Sequence, residues 1–441
     1  MKIFGLDEAR VRALAAGVTG GGGAESLDAA TAAHVFARAA WSGLAEPGDG
    51  LAGLLVTELG AVRALNVVHD SWSPHRISAL IVEGRGAGAG EQDFGLSRGD
   101  DEQFETTLQQ GLERWRPRLN VNDVVRSLEA AHHVAARLLL PNDPLWPPAL
   151  GDLAVHTPLA LWWRGVPAAL LALPYSIALV GSRAATQYGE HVAMEASAGL
   201  CDRGFAIVSG AAYGIDGMAH RAALASDGVT VAFLAGGVDR FYPTGHDALL
   251  ARIVEVGAVI SELPCGASPT KWRFLQRNRL IAASSAATVV LEAGWRSGSL
   301  NTAGHAAALG RPLGAVPGPV TSPASAGCHR LIREYDAECV TSPGEMAELA
   351  GVHPRPARLD FSAADGGVRA DGPDEEGAGS GLGRTSDQVR VFDALSARVA
   401  RPVADIARRS GLSVSSVRGA LGGLGLEGVV RERESGWSRT T

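Results

Sequence analysis

The chain has 441 residues, of which 46% are hydrophobic and 20% are charged, a balance typical of globular proteins with two or three domains. The formal net charge of -7 argues against a surface that coats polyanions as a whole, so a nucleic-acid site must be a local basic patch. The four cysteines form no CxxC pair, and no apolar run reaches the roughly eighteen residues of a membrane span. We therefore expect a cytoplasmic protein without membrane anchor, disulfides, metal or cofactor.

The N-terminal third of the chain predicts a mostly helical domain over residues 1–150. Residues 32–44 place apolar side chains at helical spacing, and a further helix is predicted over 121–138. Two Gly-rich interruptions, 17–23 and 83–103, predict loops.

From Tyr175 onward, strand and helix signals alternate. Short apolar runs predict buried strands at 177–180, 206–210, 229–237, 258–262, 288–293 and 312–318. The helical stretches between them lie near 188–203, 215–225, 244–256, 275–286 and 300–310. This alternation predicts an α/β domain at 151–350, with a mostly parallel sheet covered on both faces. Such sheets bind ligands at the carboxyl ends of their strands.

The last ninety residues predict a linker and a small domain. Residues 351–384 are rich in Gly, Pro and Asp without periodicity, which indicates a flexible linker. Beyond them, helical spacing at 385–397, 402–410 and 414–426 precedes a possible hairpin at 428–440. We expect a winged-helix domain at 385–441.

Gly181-Ser182-Arg183 follows the first predicted strand of the α/β domain and precedes a helix. A glycine there permits a tight turn, free amides at a helix start favour an anion, and Arg183 adds a bidentate phosphate donor. Taken alone, such a turn is more often only a turn.

The segment from Lys271 to Arg279 contains four cations, two aromatic residues and no acid within nine residues. Its candidate contact residues are Lys271, Phe274, Gln276, Arg277, Asn278 and Arg279. Cations suit phosphates and exposed rings suit unpaired bases, so the mixture favours a single strand over a duplex. The alternative interpretation, equally weighted, is a solvated basic helix start with Trp272 and Phe274 buried in the core.

Two further loops have the same placement after predicted strands. Ser297, Gly298 and Ser299 open a helix and supply amide and hydroxyl donors. In the other loop, Asp216 precedes His220 by one helical turn. We predict that Asp216 caps its helix rather than forming an acid–base pair with His220, because no nucleophile is evident.

These loops recur in the order of a known family. The matching segments are VGSRAATQYG (180–189), SGAAYGID (209–216), GGVDRFYP (236–243), ISELPCG (260–266), FLQRNRLIA (274–282), LEAGWRSGSLNTA (291–303) and AVPGPV (315–320). Together they resemble the DprA/Smf family over about 174–345. The resemblance implies a Rossmann-like core, a helical (SAM-like) N-terminal domain and a C-terminal winged helix.

The resemblance also implies a function. Family members bind single-stranded DNA, protect incoming DNA and load a RecA-type recombinase in natural transformation. They pair as homodimers through the Rossmann-like domain and have no established catalytic activity. By similarity, Arg183 and Lys271 would hold phosphates and Phe274 would stack on a base, while Arg277 and Arg279 would shape and charge the same pocket. We further expect Arg277 and Arg279 to neutralise phosphates of the bound strand.

The chain departs from the family pattern at three places. Before the Arg-Asn-Arg motif, where the family usually has Phe-Pro, the chain has Phe274-Leu275-Gln276, so the stacking residue is kept but the turn is in doubt. Tyr213 stands where Arg is common, which removes one cation. The run 335–337 (Tyr-Asp-Ala) replaces the usual Gly-Ala and puts the local loop geometry in doubt.

Two other functions remain open. A Rossmann-like nucleotide hydrolase would carry a Pro-Gly-Gly-x-Gly-Thr-x-x-Glu run at the sheet edge, which this sequence lacks. A winged-helix regulator would bind duplex DNA through cations such as Arg401, Arg408, Arg409 and Arg418. The glycines of 411–425 make its presumptive recognition helix a poor helix former.

Overall fold

The computed structural model describes residues 3–20, 27–85, 101–354, 384–433 and 435–440. Residues 21–23 of the first predicted Gly-rich loop, 86–100 of the second and 355–383 of the predicted linker lie outside these described residues.

The N-terminal region is helical in its described part. Its helices are α1 (Glu8–Ala16), α2 (Ala29–Leu44), α3 (Gly50–Leu59), α4 (Ala61–His69), α5 (Pro74–Arg85), α6 (Asp101–Trp115) and α7 (Val121–His133). The rings of Trp41 and Trp115 meet edge to face in the core, 5.2 Å between centroids. Their indole N–H groups donate to the Ala61 carbonyl at 3.1 Å and the Asp49 carboxylate at 3.0 Å, so neither is buried unpaired.

A nine-stranded sheet forms the centre of the described fold. Its strands are β1 (Arg137–Leu139), β2 (Leu161–Gly165), β3 (Ser176–Gly181), β4 (Ala206–Ser209), β5 (Thr230–Phe233), β6 (Ala258–Ser261), β7 (Ala287–Glu292), β8 (Leu313–Ala315) and β9 (Glu338–Cys339). They lie in the order β1-β2-β6-β5-β4-β3-β7-β8-β9, with β1 and β2 antiparallel and the rest parallel. The predicted α/β class and all six predicted strands are confirmed.

Helices cover both faces of the sheet. They are α8 (Pro167–Leu171), α9 (Gln187–Cys201), α10 (Ile215–Ala225), α11 (Asp247–Val256), α12 (Lys271–Ser284), α13 (Ser299–Ala308), α14 (Ala326–Glu334) and α15 (Pro343–Ala350). Alternate residues of β3 divide between two cores: Ala178 and Val180 pack with α12 and α13, whereas Ile177 and Leu179 pack with α9 and α10. The strand is therefore apolar throughout, as a doubly covered strand must be.

The strand order reverses between β3 and β7. The chain runs outward from β3 through β4, β5 and β6, and then returns to place β7 on the other side of β3. In open parallel sheets this reversal opens a crevice at the carboxyl ends of the strands. The loops that follow β3 and β7 both begin at this edge.

The predicted helix over 121–138 is too long. Helix α7 ends at His133, and Ala135 adopts a left-handed backbone with φ of 53°, which no continuing helix allows. The chain then pairs as β1 with β2. From β2, Trp162 donates to the Ser42 hydroxyl of α2 at 3.0 Å, so the helical region and the sheet share one packed interface.

The C-terminal region has the three helices and hairpin expected of a winged helix. They are α16 (Ser386–Ala394), α17 (Val403–Ser410), α18 (Val414–Leu426), β10 (Val430–Arg433) and β11 (Gly436–Arg439). Val391, Ile406 and Leu421 lie in its own hydrophobic core.

One buried carboxylate joins all three regions. Glu46, two residues beyond α2, accepts a hydrogen bond from Arg118 and one from Nη2 of Arg273 on α12 at 2.8 Å. Nε of Arg118 in turn donates to the Arg408 carbonyl of α17 at 2.8 Å. Burial alone raises the pKa of Glu46, but the Arg118 and Arg273 guanidiniums outweigh burial and hold that pKa below its ordinary value.

Removing this carboxylate should destabilise the chain strongly. Glu46→Ala leaves two guanidiniums buried without their partner, so we expect a loss of about 3–5 kcal/mol in the free energy of unfolding, measured by denaturant titration at neutral pH. Because the folded-state pKa of Glu46 is depressed, the stabilisation is present at neutral pH. It is lost as the pH falls below the ordinary carboxyl pKa of 4.5. The difference in the free energy of unfolding between the wild type and Glu46→Ala should therefore become smaller at acidic pH.

Glu348→Ala is the matched control, because Glu348 is exposed on α15. We expect it to change stability by no more than about 0.5 kcal/mol. Equal stability of the two variants would contradict the role given to Glu46.

Candidate nucleic-acid interface

The Gly-Ser-Arg turn leaves β3 at the carboxyl edge of the sheet and is fixed by its neighbours. A Cβ on Gly181 would lie 2.5 Å from Ile215 Cγ1, so only glycine fits. The Ser182 amide donates to the Glu292 carbonyl at 2.8 Å, and the Ser182 carbonyl accepts from the Ile215 amide at 3.1 Å. Arg183 follows with its side chain exposed. The turn therefore holds a cation at the edge of the sheet.

The structure brings Arg183 together with Phe274. The guanidinium carbon of Arg183 lies 4.8 Å from the centroid of the Phe274 ring, which is half-buried in the first turn of α12. Helix α12 begins at Lys271, and the preceding Thr270 hydroxyl accepts from the Arg273 amide at 3.2 Å. Lys271 is exposed and stands three residues before Phe274, on the same helix face. Phe274 therefore has Arg183 against its ring and Lys271 one helical turn before it.

Arg277 does not take the role predicted for it. Its side chain is buried, and its Nη1 donates to the Phe233 carbonyl at 2.6 Å. Its guanidinium carbon lies 5.7 Å from the Phe274 ring centroid. Burial lowers the pKa of Arg277 to about 10, although the Asp216 carboxylate favours the charged form. Arg277 therefore supports the ring from inside the protein, where its burial does not favour the predicted phosphate contact.

Arg279 and Gln276 lie on another face of α12. Arg279 is buried in an ion pair with Glu262. A Cβ on Gly48 would lie 2.9 Å from Arg279 Nε and 3.2 Å from Gln276 Oε1, so both side chains contact the N-terminal region. The prediction that Arg279 neutralises a phosphate is wrong for this arrangement, because its charge is buried and already paired.

The remaining predicted residues tie loops together. Asn278 is buried, and its Nδ2 donates to Asn301 Oδ1 at 3.1 Å, joining α12 to α13. In the loop after β7, the Ser297 and Ser299 hydroxyls pair at 2.8 Å, and Gly298 between them is exposed. This loop lies beside the Gly-Ser-Arg turn because β7 pairs with β3.

Asp216 is not a helix cap. The residue before α10 is Gly214, with φ of 72°, and Asp216 is the second residue of the helix. Its buried carboxylate accepts from the amides of Gly210 at 3.1 Å and Ala212 at 3.4 Å, so it organises the loop after β4. Burial raises the pKa of Asp216, against the lowering effect of the Arg277 guanidinium.

His220 has a separate partner. Its Nδ1 lies 2.7 Å from the Thr230 hydroxyl, and burial lowers the pKa of this imidazole to about 3. Asp216 and His220 thus engage different groups, which agrees with assigning them no acid–base role.

Glu292 is a supporting residue to which the sequence assigned no function. Its buried carboxylate accepts from the Thr186 amide at 2.9 Å and from the Thr186 hydroxyl at 2.5 Å. It therefore fixes the chain just after Arg183. The available signal was a lone acid at the end of the apolar run 288–291.

The winged helix reaches the first turn of α12. Asp393 Oδ2 accepts from the Lys271 amide at 2.8 Å, and the Arg390 guanidinium carbon lies 5.2 Å from the Trp272 ring centroid. A carboxylate from α16 thus occupies an amide at the start of the helix that carries Phe274.

Comparisons with known proteins agree with the motifs. A family model described as DNA recombination-mediator protein A matches residues 137–351, and one described as the DprA winged helix domain matches 375–436. The putative DNA processing protein DprA of Mycobacterium tuberculosis (strain ATCC 25618 / H37Rv) is 44% identical over 338 residues, covering 73% of this chain and 81% of that protein. The chain belongs to the DprA/Smf family.

Other DprA/Smf proteins are similar over comparable lengths. Protein Smf of Escherichia coli (strain K12) is 35% identical over 296 residues, covering 66% of this chain and 76% of that protein. The X-ray structure of DNA processing protein A from Streptococcus pneumoniae matches with a TM-score of 0.52 and 27% identity, covering 72% of this chain and 97% of that chain. The DprA fold therefore extends over most of the described residues.

The three departures from the DprA/Smf pattern lie at the surface. Leu275 is exposed, and helix α12 continues through it without a break. Tyr213 is exposed with its ring 4.9 Å from that of His246. Tyr335 is exposed, and Asp336 adopts a left-handed backbone with φ of 54°.

The described part of the chain shows no group of three or more His, Cys, Asp or Glu residues placed to hold a metal ion. No single helix there is long and apolar enough to cross a membrane. Helices α3 and α4 together meet the length and composition, but they are bent by 112°.

Gly210 offers a direct test of how the site is supported. A Cβ at this position would lie 1.9 Å from Arg277 Nη1, so Gly210→Ala must displace the buried guanidinium. We expect a loss of about 1–3 kcal/mol in the free energy of unfolding, the usual cost of overpacking, measured by denaturant titration. Gly304→Ala in α13 is the control, because a Cβ there has nothing within 4 Å. A Gly210→Ala protein as stable as the control would refute the tight packing of Arg277.

Proposed function

We propose that this chain binds single-stranded DNA along the carboxyl edge of the sheet and delivers it to a RecA-type recombinase, without catalysing a reaction. The observation that carries the proposal is the exposed Arg183 guanidinium beside the Phe274 ring, with Lys271 on the same face of α12. Membership in a family of DNA recombination mediators supports the biological role.

The chemistry of this surface favours an unpaired strand. A cation draws the phosphate backbone, and a partly exposed ring offers a flat apolar face on which a base stacks. In a duplex the base faces are already stacked, so Phe274 would gain nothing there. We therefore expect little preference among bases and a marked preference for single strands.

Two parts of the proposal depend on family likeness. One is pairing of two copies through the Rossmann-like domain, which would raise affinity for long strands by avidity. The other is direct contact with the recombinase. Affinity for strands long enough to reach two sites should exceed the affinity for short ones if the pairing holds.

Nucleotide hydrolysis is the less favoured function. The Asp216 carboxylate accepts from the Gly210 amide and His220 pairs with the Thr230 hydroxyl, so the two side chains do not form an acid–base pair with each other. Turnover of nucleoside monophosphates by the pure protein would favour nucleotide hydrolysis over a role in DNA binding alone.

Salt dependence tests the two cations. Each phosphate contact on a single strand contributes about -0.7 to the slope of log affinity against log salt, so Arg183→Ala and Lys271→Ala should each make the slope shallower by about 0.7. With Arg277 and Arg279 buried, the two exposed cations account for about -1.4 of the wild-type slope. Fluorescence anisotropy with a labelled oligonucleotide measures it.

Arg252→Ala is the matched control for charge. Arg252 is exposed on α11, in an ion pair with Glu255 at 2.7 Å, and its removal should leave the slope unchanged. If all three variants keep the wild-type slope, the proposed phosphate contacts are absent.

The ring is tested separately. Phe274→Ala should weaken single-strand binding by about 1–3 kcal/mol, the typical contribution of one base stacked on an aromatic side chain. Leu275→Ala, which removes the exposed neighbouring apolar side chain, should bind as the wild type does. Titration of both variants with the same labelled strand measures their affinities. Equal affinities of Phe274→Ala and Leu275→Ala would argue against stacking on Phe274.

A further inference from the structure

We infer that Tyr213 and Tyr242 extend the Phe274 surface, so that the site stacks several bases of one strand rather than one. This inference rests on the proposed function. It assigns binding roles to Tyr213 and Tyr242. Both lie in loops at the carboxyl edge of the sheet, and both are exposed.

The sheet topology sets the two tyrosines beside the cation. Strands β3, β4 and β5 are consecutive neighbours and run parallel, so the loops that follow them start at one edge, about 4.8 Å apart. Arg183 lies in the first loop, Tyr213 in the second and Tyr242 in the third. The three loops therefore begin along the edge in the same order as along the chain.

Direct contacts join these loops into one surface. The ring centroids of Tyr242 and Phe274 are 5.7 Å apart, with the ring planes tilted by 55°. On the other side, a Cβ on Gly214, next to Tyr213, would lie 2.3 Å from the Ser182 carbonyl, so this loop is packed onto the Gly-Ser-Arg turn. Tyr213 is braced by His246, whose Nδ1 pairs with the Ala211 carbonyl at 3.1 Å.

Both rings are available to a ligand. Tyr213 is 49% exposed and Tyr242 is 48% exposed, so a large part of each side chain remains in solvent. Every base has a face that can stack on such a ring, whatever its sequence. At position 213 the chain has Tyr where Arg is common in the family. An arginine there would attract phosphates, whereas the tyrosine ring offers a stacking surface to bases.

The decisive experiment separates contact with bases from every other effect. Binding of Tyr213→Ala and Tyr242→Ala is measured on a labelled oligothymidylate and on a strand of the same length with abasic sites throughout its central part. Each variant should bind the oligothymidylate about five- to 150-fold more weakly than the wild type, the range for one stacked base. On the abasic strand the variants and the wild type should bind alike.

Two matched substitutions guard the interpretation. Tyr213→Phe and Tyr242→Phe keep the ring and should retain wild-type affinity. Tyr175→Ala removes a tyrosine that is 46% exposed but lies just before β3, at the opposite edge of the sheet, and should have no effect. Unchanged thermal melting of the alanine variants excludes a folding defect.

The outcomes distinguish this inference from the proposed function. A normal loss in Phe274→Ala, together with wild-type affinity in both tyrosine variants, overturns the inference alone. A loss equal on the oligothymidylate and the abasic strand also overturns it, because the rings would then act on the backbone or the fold. Failure of the wild type to bind the single strand overturns the proposed function and the inference with it.

Discussion

The guanidinium of Arg277 connects the carboxyl edge of the sheet to the helix that carries the exposed ring. It donates to the Phe233 carbonyl at the end of β5 and packs against Gly210, whose amide is held by the Asp216 carboxylate. A buried charge is costly unless it is paired and hydrogen-bonded. Here the Phe233 carbonyl accepts a hydrogen bond from the guanidinium, and the Asp216 carboxylate favours its charged form. Phe274 lies against this guanidinium on one side of the surface that Arg183 shares. The exposed surface of Arg183 and Phe274 thus depends on the buried guanidinium of Arg277.

Much of the fold could be read from the sequence because the sheet is covered on both faces. Strands such as 177–180 are continuous apolar runs followed by glycine, and such runs are recognisable without a structure. Strands β1 and β9 were missed because they have only three and two residues at the sheet edges. Strand β2 was missed because it pairs antiparallel and carries two tryptophans, outside the pattern of the parallel core.

The candidate site was predicted less completely, for a physical reason. The sequence shows that 271–279 is basic and aromatic, but a helix distributes these nine residues around its circumference. Phe274 lies beside Arg183 and Lys271 is exposed, whereas Arg277 and Arg279 are directed into the protein, toward Phe233 and Glu262. Local charge does not reveal burial, which depends on partners distant in sequence. Asp216 illustrates the same limit, because its amide partners belong to the preceding loop rather than to its own helix.

The carboxylate of Asp393 on the Lys271 amide has a consequence for how the regions of the chain communicate. An N–H group at a helix start donates its hydrogen bond to one anion at a time, so a phosphate at this amide and the Asp393 contact are mutually exclusive. Any ligand that takes that amide therefore releases a tether between α16 and α12. By thermodynamic reciprocity, whatever pulls the winged helix away leaves the same amide open to an incoming anion.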